Sequence, residues 1–249
     1  MILLAAKDIK VTRGNSMLLD VGSLDFDSHG AVAVIGPNGS GKSTLLKVLA
    51  GIERPDSGEV RLEGRALATY AGFARAKIVG YLPQQFEPHW DLSVIDLIRL
   101  GAERAGDATD TVPEQAIAQF ELASVRQRRW STLSGGERAR VLLATILAID
   151  PPLLLADEPA ASLDIKHRIH VSAALARRGK DRLSIVVMHD LELAFQLFER
   201  IVLMDKGRIV ADGPADEIVH DNKLDDVFGV RFKRIEGPGH VSLQIAAIE

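Results

Sequence analysis

Residues 36–44 read Gly-Pro-Asn-Gly-Ser-Gly-Lys-Ser-Thr, flanked by the apolar run AVAVIG (31–36) before and TLLKVLAG (44–51) after. Gly36 through Ser43 fit the pattern G-x-x-x-x-G-K-[ST], and a buried strand leading into a helix is the setting in which that pattern becomes a phosphate-binding loop. Glycines let backbone N–H groups curl around phosphate oxygens without Cβ clashes, and the helix start adds roughly half a positive charge. Lys42 is therefore expected to reach the β and γ phosphates of a nucleotide and the Ser43 hydroxyl to ligate Mg²⁺. Gly36, Asn38, Gly39, Ser40 and Gly41 belong to the same expected cradle, and the strand on its N-terminal side points to an α/β fold of the P-loop NTPase kind.

Two further stretches resemble that strand. LLLAD (153–157) and LSIVVMH (183–189) are predominantly apolar and look the same, as strands buried on both faces of a parallel sheet do, so the three are expected side by side. The second ends in two adjacent acids. Side chains alternate along a strand, so Asp157 and Glu158 should point different ways: Asp157 to the Mg²⁺ shell, Glu158 to polarise the attacking water. His189 closes the third strand. Parallel strands deliver their C-terminal ends to one edge, where a nucleotide also binds, so His189 could bond the γ-phosphate or hold the water beside Glu158. Gln84, in YLPQQ, lies where the sheet pattern gives way to helices.

The remainder sorts into layers. Residues 2–30 show short alternating stretches broken at Gly14-Asn15 and Gly22-Ser23, and Gly58–Leu62 reads as another strand, which together predict an antiparallel β layer. Between Gln85 and Ser134 helical patterns take over: Ser93 with Asp96 resembles a capping box, and Pro113 opens a segment with Ile117 and Phe120 on one face. After His189 the pattern predicts a helix to about Glu199, a hairpin turning at Lys206-Gly207, a short helix after Pro214 and a last strand pair near 230–246. The expected organisation is one domain over 1–249: a core from 1–84 and 150–249 that includes the antiparallel layer, and a helical subdomain over 85–149.

Bulk properties exclude other classes. The 249 residues are 26% charged and 47% hydrophobic, ordinary for a globular chain. A formal net charge of −4 gives no basic field, so nucleic acid is not an expected partner. The absence of cysteine removes disulfides and thiolate metal sites. MILLAA at the start is too short for a signal peptide, and the longest apolar runs fall far below the ~18 residues of a membrane span, so any membrane association is expected to run through another protein.

A second glycine-rich stretch, LSGGERAR (133–140), has no lysine or hydroxyl after its glycines and cannot replace the first loop. Ser134 and the N–H groups of Gly135 and Gly136 nevertheless open a helix, expected from Glu137 to about Ala148, that favours an anion at its start. Ser134 with Glu137 also reads as a capping box, and both readings can hold together.

Taken in order, GPNGSGKST, YLPQ, LSGGE, LLLADEP, SLD and VMHD resemble the nucleotide-binding subunit of ATP-binding cassette transporters over nearly the whole chain. The resemblance implies ATP and Mg²⁺, a head-to-tail homodimer, and a nucleotide sandwiched between the phosphate loop of one subunit and the signature of the other. It implies phosphate contacts from Gly39, Gly41, Lys42, Ser43 and Thr44, a Mg²⁺-sensing Gln84 that links to the membrane subunit, Glu158 as base and His189 as switch. Ser134, Gly135, Gly136 and Asp164 would act across the interface. Where the family stacks adenine on an aromatic, VTRGN offers Arg13, whose guanidinium can also stack. The signature ends in Glu137 rather than the commoner glutamine, which bears on one ribose contact.

A single cassette without a fused span is similar to the separate ATPase of a bacterial importer, working with integral-membrane permease subunits and a solute-binding protein at the cytoplasmic face of the inner membrane. SLDIKHR and the VFGV segment are similar to importers of iron siderophores, haem or cobalamin; an importer of another solute is the neighbouring alternative. Phe86, His89 and Trp90 fall where such subunits receive the permease. A non-transport ATPase acting on DNA or ribosomes would carry coiled-coil insertions, zinc sites or tandem cassettes, whereas here about 90 residues without heptads or cysteines separate Lys42 from the signature. A regulator that binds ATP without hydrolysing it is the remaining rival. His167 and His170, three apart on a helix, could bind a metal but read first as surface residues.

Overall fold

The computed structural model describes residues 2–103, 111–237 and 240–248. Along the chain, β1 (Ile2–Arg13) and β2 (Ser16–Asp27) form a hairpin, and β3 (Gly30–Ile35) runs through the glycine loop into α1 (Lys42–Leu49). Next come β4 (Ser57–Leu62), β5 (Arg65–Ala66), α2 (Gly72–Ile78) and β6 (Val79–Leu82), then α3 (Val94–Glu103), α4 (Thr111–Gln119) and α5 (Gly135–Leu147). The second half runs β7 (Leu153–Asp157), α6 (Ile165–Arg178), β8 (Leu183–Val187), α7 (Leu191–Leu197), β9 (Arg200–Asp205) and β10 (Arg208–Pro214). It closes with α8 (Ala215–Ile218), α9 (Lys223–Phe228), β11 (Val230–Gly237) and β12 (His240–Ile248).

Six strands build the central sheet in the order β10-β9-β3-β8-β7-β6, parallel except for the β9–β10 hairpin. The three apolar strands expected side by side are adjacent, β3-β8-β7. Alternation along β3 sends Val32 and Val34 into one buried cluster, with α1 and the antiparallel layer, and Ala33 and Ile35 into the other, with α6 and α7. Helix α1 is only eight residues long, too short to persist alone. Full burial of Leu45, Leu46 and Leu49, worth ~1.5–3 kcal/mol each, is what fixes its first turn under the glycine loop.

The antiparallel layer has the order β2-β1-β4-β5. The expected break at Gly22-Ser23 does not occur: β2 continues through it, still in register with β1 at Val21↔Ile9 and Ser23↔Lys7. Gly22 and Ser23 are both exposed, as are Lys7 and Asp8 opposite them, so the two strands change buried phase together instead of ending. Strand β6 and helices α2 and α9 carry too short a pattern to be foreseen. Helices α3, α4 and α5 share a core of their own around Val94, Ile98, Leu122, Trp130 and Val141. Among the described residues, no helix is long and apolar enough to cross a membrane.

Candidate functional site

The glycine loop has backbone that only glycine fits. Gly36 and Gly41 have φ of 150° and 97°. A Cβ at Gly36 would stand 2.2 Å from the Met204 carbonyl, and one at Gly41 would stand 2.8 Å from that of Leu18. The loop therefore lies against β9 and β2. Lys42 folds back over it, donating from Nζ to the Gly36 and Pro37 carbonyls at 2.8 and 2.9 Å. Burial lowers the pKa of this ammonium, opposed by the nearby Glu158 and Asp157 carboxylates.

Ser43, in the first turn of α1, donates to Asp157 Oδ1 at 3.1 Å. Asp157 is 2% exposed, and that burial pushes its carboxyl pKa up in spite of the Ser43 bond. Tyr81, on β6, is pushed up to about 12 by burial and by the Asp157 charge. A half-buried hydroxyl and a buried carboxylate, all-oxygen and with no Lys or Arg ion-paired to the acid among the described residues, form a donor set that fits Mg²⁺.

The two acids do diverge, but not by strand alternation. Strand β7 ends at Asp157, and Glu158 turns off it with φ 53°, a left-handed conformation that costs a non-glycine residue of order 1–3 kcal/mol. Its amide still reaches the Val187 carbonyl on β8 at 3.3 Å. The turn brings the Glu158 carboxylate between two partners: Gln84 Nε2 donates to Oε2 at 2.8 Å, and His189 Nε2 lies 2.5 Å from Oε1. The Glu158 side chain is 10% exposed while His189 is 46% exposed, so the pair has a buried acid and a wet imidazole.

A cleft of about 690 Å³ opens over these groups, lined by Asn38 through Thr44, Gln84, Glu158 and His189. Met17, Leu18 and Lys206 complete its wall. Sequence reasoning missed these three, because nothing in SML or DKG marks a binding residue beyond a turn. Gly207 supplies the reason Lys206 is there: its amide donates to the Ser40 carbonyl at 3.0 Å, so the β9–β10 turn rests on the loop.

Other expected site residues stand apart from this cleft. Ser134 caps α5, which starts at Gly135 and not at Glu137: its Oγ accepts from the Glu137 amide at 3.3 Å, and Glu137 accepts from the Ser134 amide at 2.7 Å. The capping box is therefore present. Asp164 caps α6, accepting from the His167 amide at 3.0 Å. Neither these caps nor Gly135 and Gly136 line the cleft. Arg13 is also outside it, 70% exposed and ion-paired to Glu53 at 2.9 Å.

The comparison with known sequences decides what this arrangement belongs to: residues 19–161, from β2 through the acid pair, match the family described as ABC transporter. The chain belongs to the ABC transporter family. Within it, the chain is of the ATP-binding, ATP-hydrolysing type. It is 35% identical over 229 residues to a hemin import ATP-binding protein, HmuV, of Rhodopseudomonas palustris strain BisA53, covering 88% of this chain and 85% of that one. The protein of the same name from Thermobifida fusca strain YX is 35% identical over 243 residues, 95% of this chain and 86% of its own.

Solved structures share the fold. One, titled as an inward-facing metal-chelate type ABC transporter, superposes with a TM-score of 0.81 at 22% identity, covering 100% of this chain and 98% of that one. Another, an ATP-binding cassette solved as a dimer in a post-hydrolysis state with ADP and phosphate, gives 0.78 at 24% identity over 86% and 99% of the two chains.

Proposed function

We propose that the chain is the ATPase subunit of a bacterial importer for haem or a related iron complex, and that it hydrolyses ATP only as a homodimer. The observation that carries the dimer is the incompleteness of the cleft. It contains the phosphate loop, Gln84, Glu158 and His189, yet none of Ser134, Gly135 or Gly136 lines it. Two copies packed head to tail would bring the signature of each to the nucleotide held by the other, so that the anion-favouring start of α5 meets the γ-phosphate. Asp164 would act across the same interface. For the cargo, support comes from the relatives named for hemin import and the structure titled for a metal chelate.

In the proposed cycle the nucleotide phosphates enter the cradle of Gly36 to Thr44, and Lys42 exchanges two carbonyl partners for phosphate oxygens. Ser43 and Asp157 would hold Mg²⁺, which when bound would supply charge neutralisation at the phosphates. Glu158 accepts the proton of the attacking water, oriented by Gln84 and His189, which grip its two oxygens. Adenine is assigned to Arg13. Its exposed pair with Glu53 is worth no more than about 1 kcal/mol, so the guanidinium can leave it to stack.

Gln84 opens the stretch that contains Phe86, 38% exposed, and Trp90, 69% exposed, and this face is assigned to the integral-membrane permease subunits. Those subunits, with a solute-binding protein outside, would place the ATPase at the cytoplasmic face of the inner membrane.

Mixing two dead variants tests the shared site. A dimer of one Lys42→Ala chain with one Ser134→Ala chain has one centre with both defects and one with neither. The 1:1 mixture should hydrolyse ATP faster than either variant alone; a rate equal to the mean of the two parents would show that each chain works on its own.

A further inference from the structure

A second cavity, of about 550 Å³, lies between the C-terminal half of α5 and the side of α6, and shares no residue with the nucleotide cleft. That volume is within the ~300–1,000 Å³ of small-molecule sites. Its apolar lining comes from Phe120, Leu143, Leu147, Val171 and Leu175. Its rim is cationic. Lys166 and Arg177 lie on one face of α6, about 16 Å apart at 1.5 Å per residue, and Arg140 approaches from α5.

None of these three cations has an ion-pair partner among the described residues. Lys166 and Arg177 have no acidic partner among the described residues, and Arg140 bonds only the Phe120 and Glu121 carbonyls, at 3.5 and 3.3 Å. Two acids also line the cavity. Asp150 is already paired with Arg178 and Arg182 at 3.2 and 3.3 Å, which leaves Glu121 as the opposing charge.

Two imidazoles stand in the same wall. His167 Nδ1 lies 2.9 and 2.8 Å from the two oxygens of Asp164. With Nδ1 turned to that carboxylate, Nε2 is the ring nitrogen that has no partner among the described residues. A carboxylate behind an imidazole is the arrangement that orients metal-ligating histidines. His170, one turn further on, has no partner among the described residues.

We propose that this groove binds an iron porphyrin bearing carboxylates: the ring on the apolar lining, the iron on His167 or His170, the carboxylates on Lys166, Arg177 and Arg140. The groove's chemistry asks for a flat, apolar, anionic, metal-bearing body; the choice of iron porphyrin rests on the cargo read above. An occupant joins α5, which opens at the signature, to α6, which opens at Asp164, so imported cargo accumulating inside the cell slows the ATPase that brought it in.

Titrating ferric haem into the purified full-length protein and following the Soret band tests the site. One haem per chain should bind with a histidine-ligated spectrum, and His167→Ala/His170→Ala should lose that ligation and at least tenfold in affinity. Lys166→Glu/Arg177→Glu should weaken both haem and metal-free protoporphyrin by a similar factor. Unchanged spectrum and affinity in both double variants overturns the site, and unchanged ATPase at saturating haem overturns the sensing. The cargo reading fails separately: cells or proteoliposomes then take up no haem while histidine-dependent binding to the purified chain persists.

Discussion

Glu158 has both carboxylate oxygens engaged, by Gln84 and by His189, before any substrate arrives. Replacing it with glutamine keeps the shape and removes the proposed base. Turnover of Glu158→Gln should fall by ~10²-fold or more while the Kd for ATP stays within a few-fold, read by single-turnover kinetics beside equilibrium binding. Asp157 makes the opposite kind of bargain. Its pKa is raised by burial, so the folded chain binds that proton more tightly than the unfolded chain, and its share of stability is full below the unfolded pKa and lost as pH rises through the folded one. Asp157→Asn should therefore raise the melting temperature of the nucleotide-free protein at pH 7–8, by about 2–4 °C if the gain is about 1 kcal/mol, with the gain vanishing towards pH 3. The same variant should lose Mg²⁺-dependent ATP binding. The acid pair was legible because LLLADEP is an apolar strand with two charges at its end. The left-handed backbone at Glu158 was not, since a period-2 pattern has no sign for a chain that leaves the strand one residue early.

Among the elements, the antiparallel layer shows how one glycine fixes a register. Asp8 has φ 51°, and the pairing of β1 with β4 shifts between Lys7 and Lys10. Gly58 faces this irregularity with φ 87°, and a Cβ there would stand 2.3 Å from the Asp8 carbonyl. Gly58→Ala should cost at least ~2 kcal/mol, seen as a lower denaturant midpoint, because neither the φ nor the space admits a side chain. The signature helix offers a contrast. Losing its cap in Ser134→Ala should cost about 1 kcal/mol of stability. A fall in ATPase well beyond that, in protein still folded by circular dichroism, would locate the serine's main duty at the neighbour's nucleotide. Long or strongly patterned elements such as β3, β7, β8 and α5 could be read in advance. Four-residue β6 could not: Gly80 sits in it because Ile146 of α5 and Pro151 would each come within 2.8 Å of a Cβ, a tertiary demand that local sequence does not display.

At the scale of the molecule, the order of the central strands follows from three apolar segments and the rule that parallel strands expose their C-terminal ends together, which is why the cleft could be anticipated while its Met17, Leu18 and Lys206 wall could not. The other end of the sheet is built differently. Arg178, largely buried at the end of α6, donates to the Leu183 carbonyl at 2.9 Å, to Ser184 Oγ at 3.1 Å and to the Pro151 carbonyl, and pairs with Asp150. One guanidinium thus stitches α6 to the chain entering both β7 and β8. Arg178→Met would strand those acceptors and should cost about 3 kcal/mol, measured by chemical denaturation. Both strands are pinned to one helix at the edge facing away from the cleft, so a pull on the cleft rim is resisted at that far edge, and amide protons of Leu183 and its neighbours should be among the slowest in the chain to exchange.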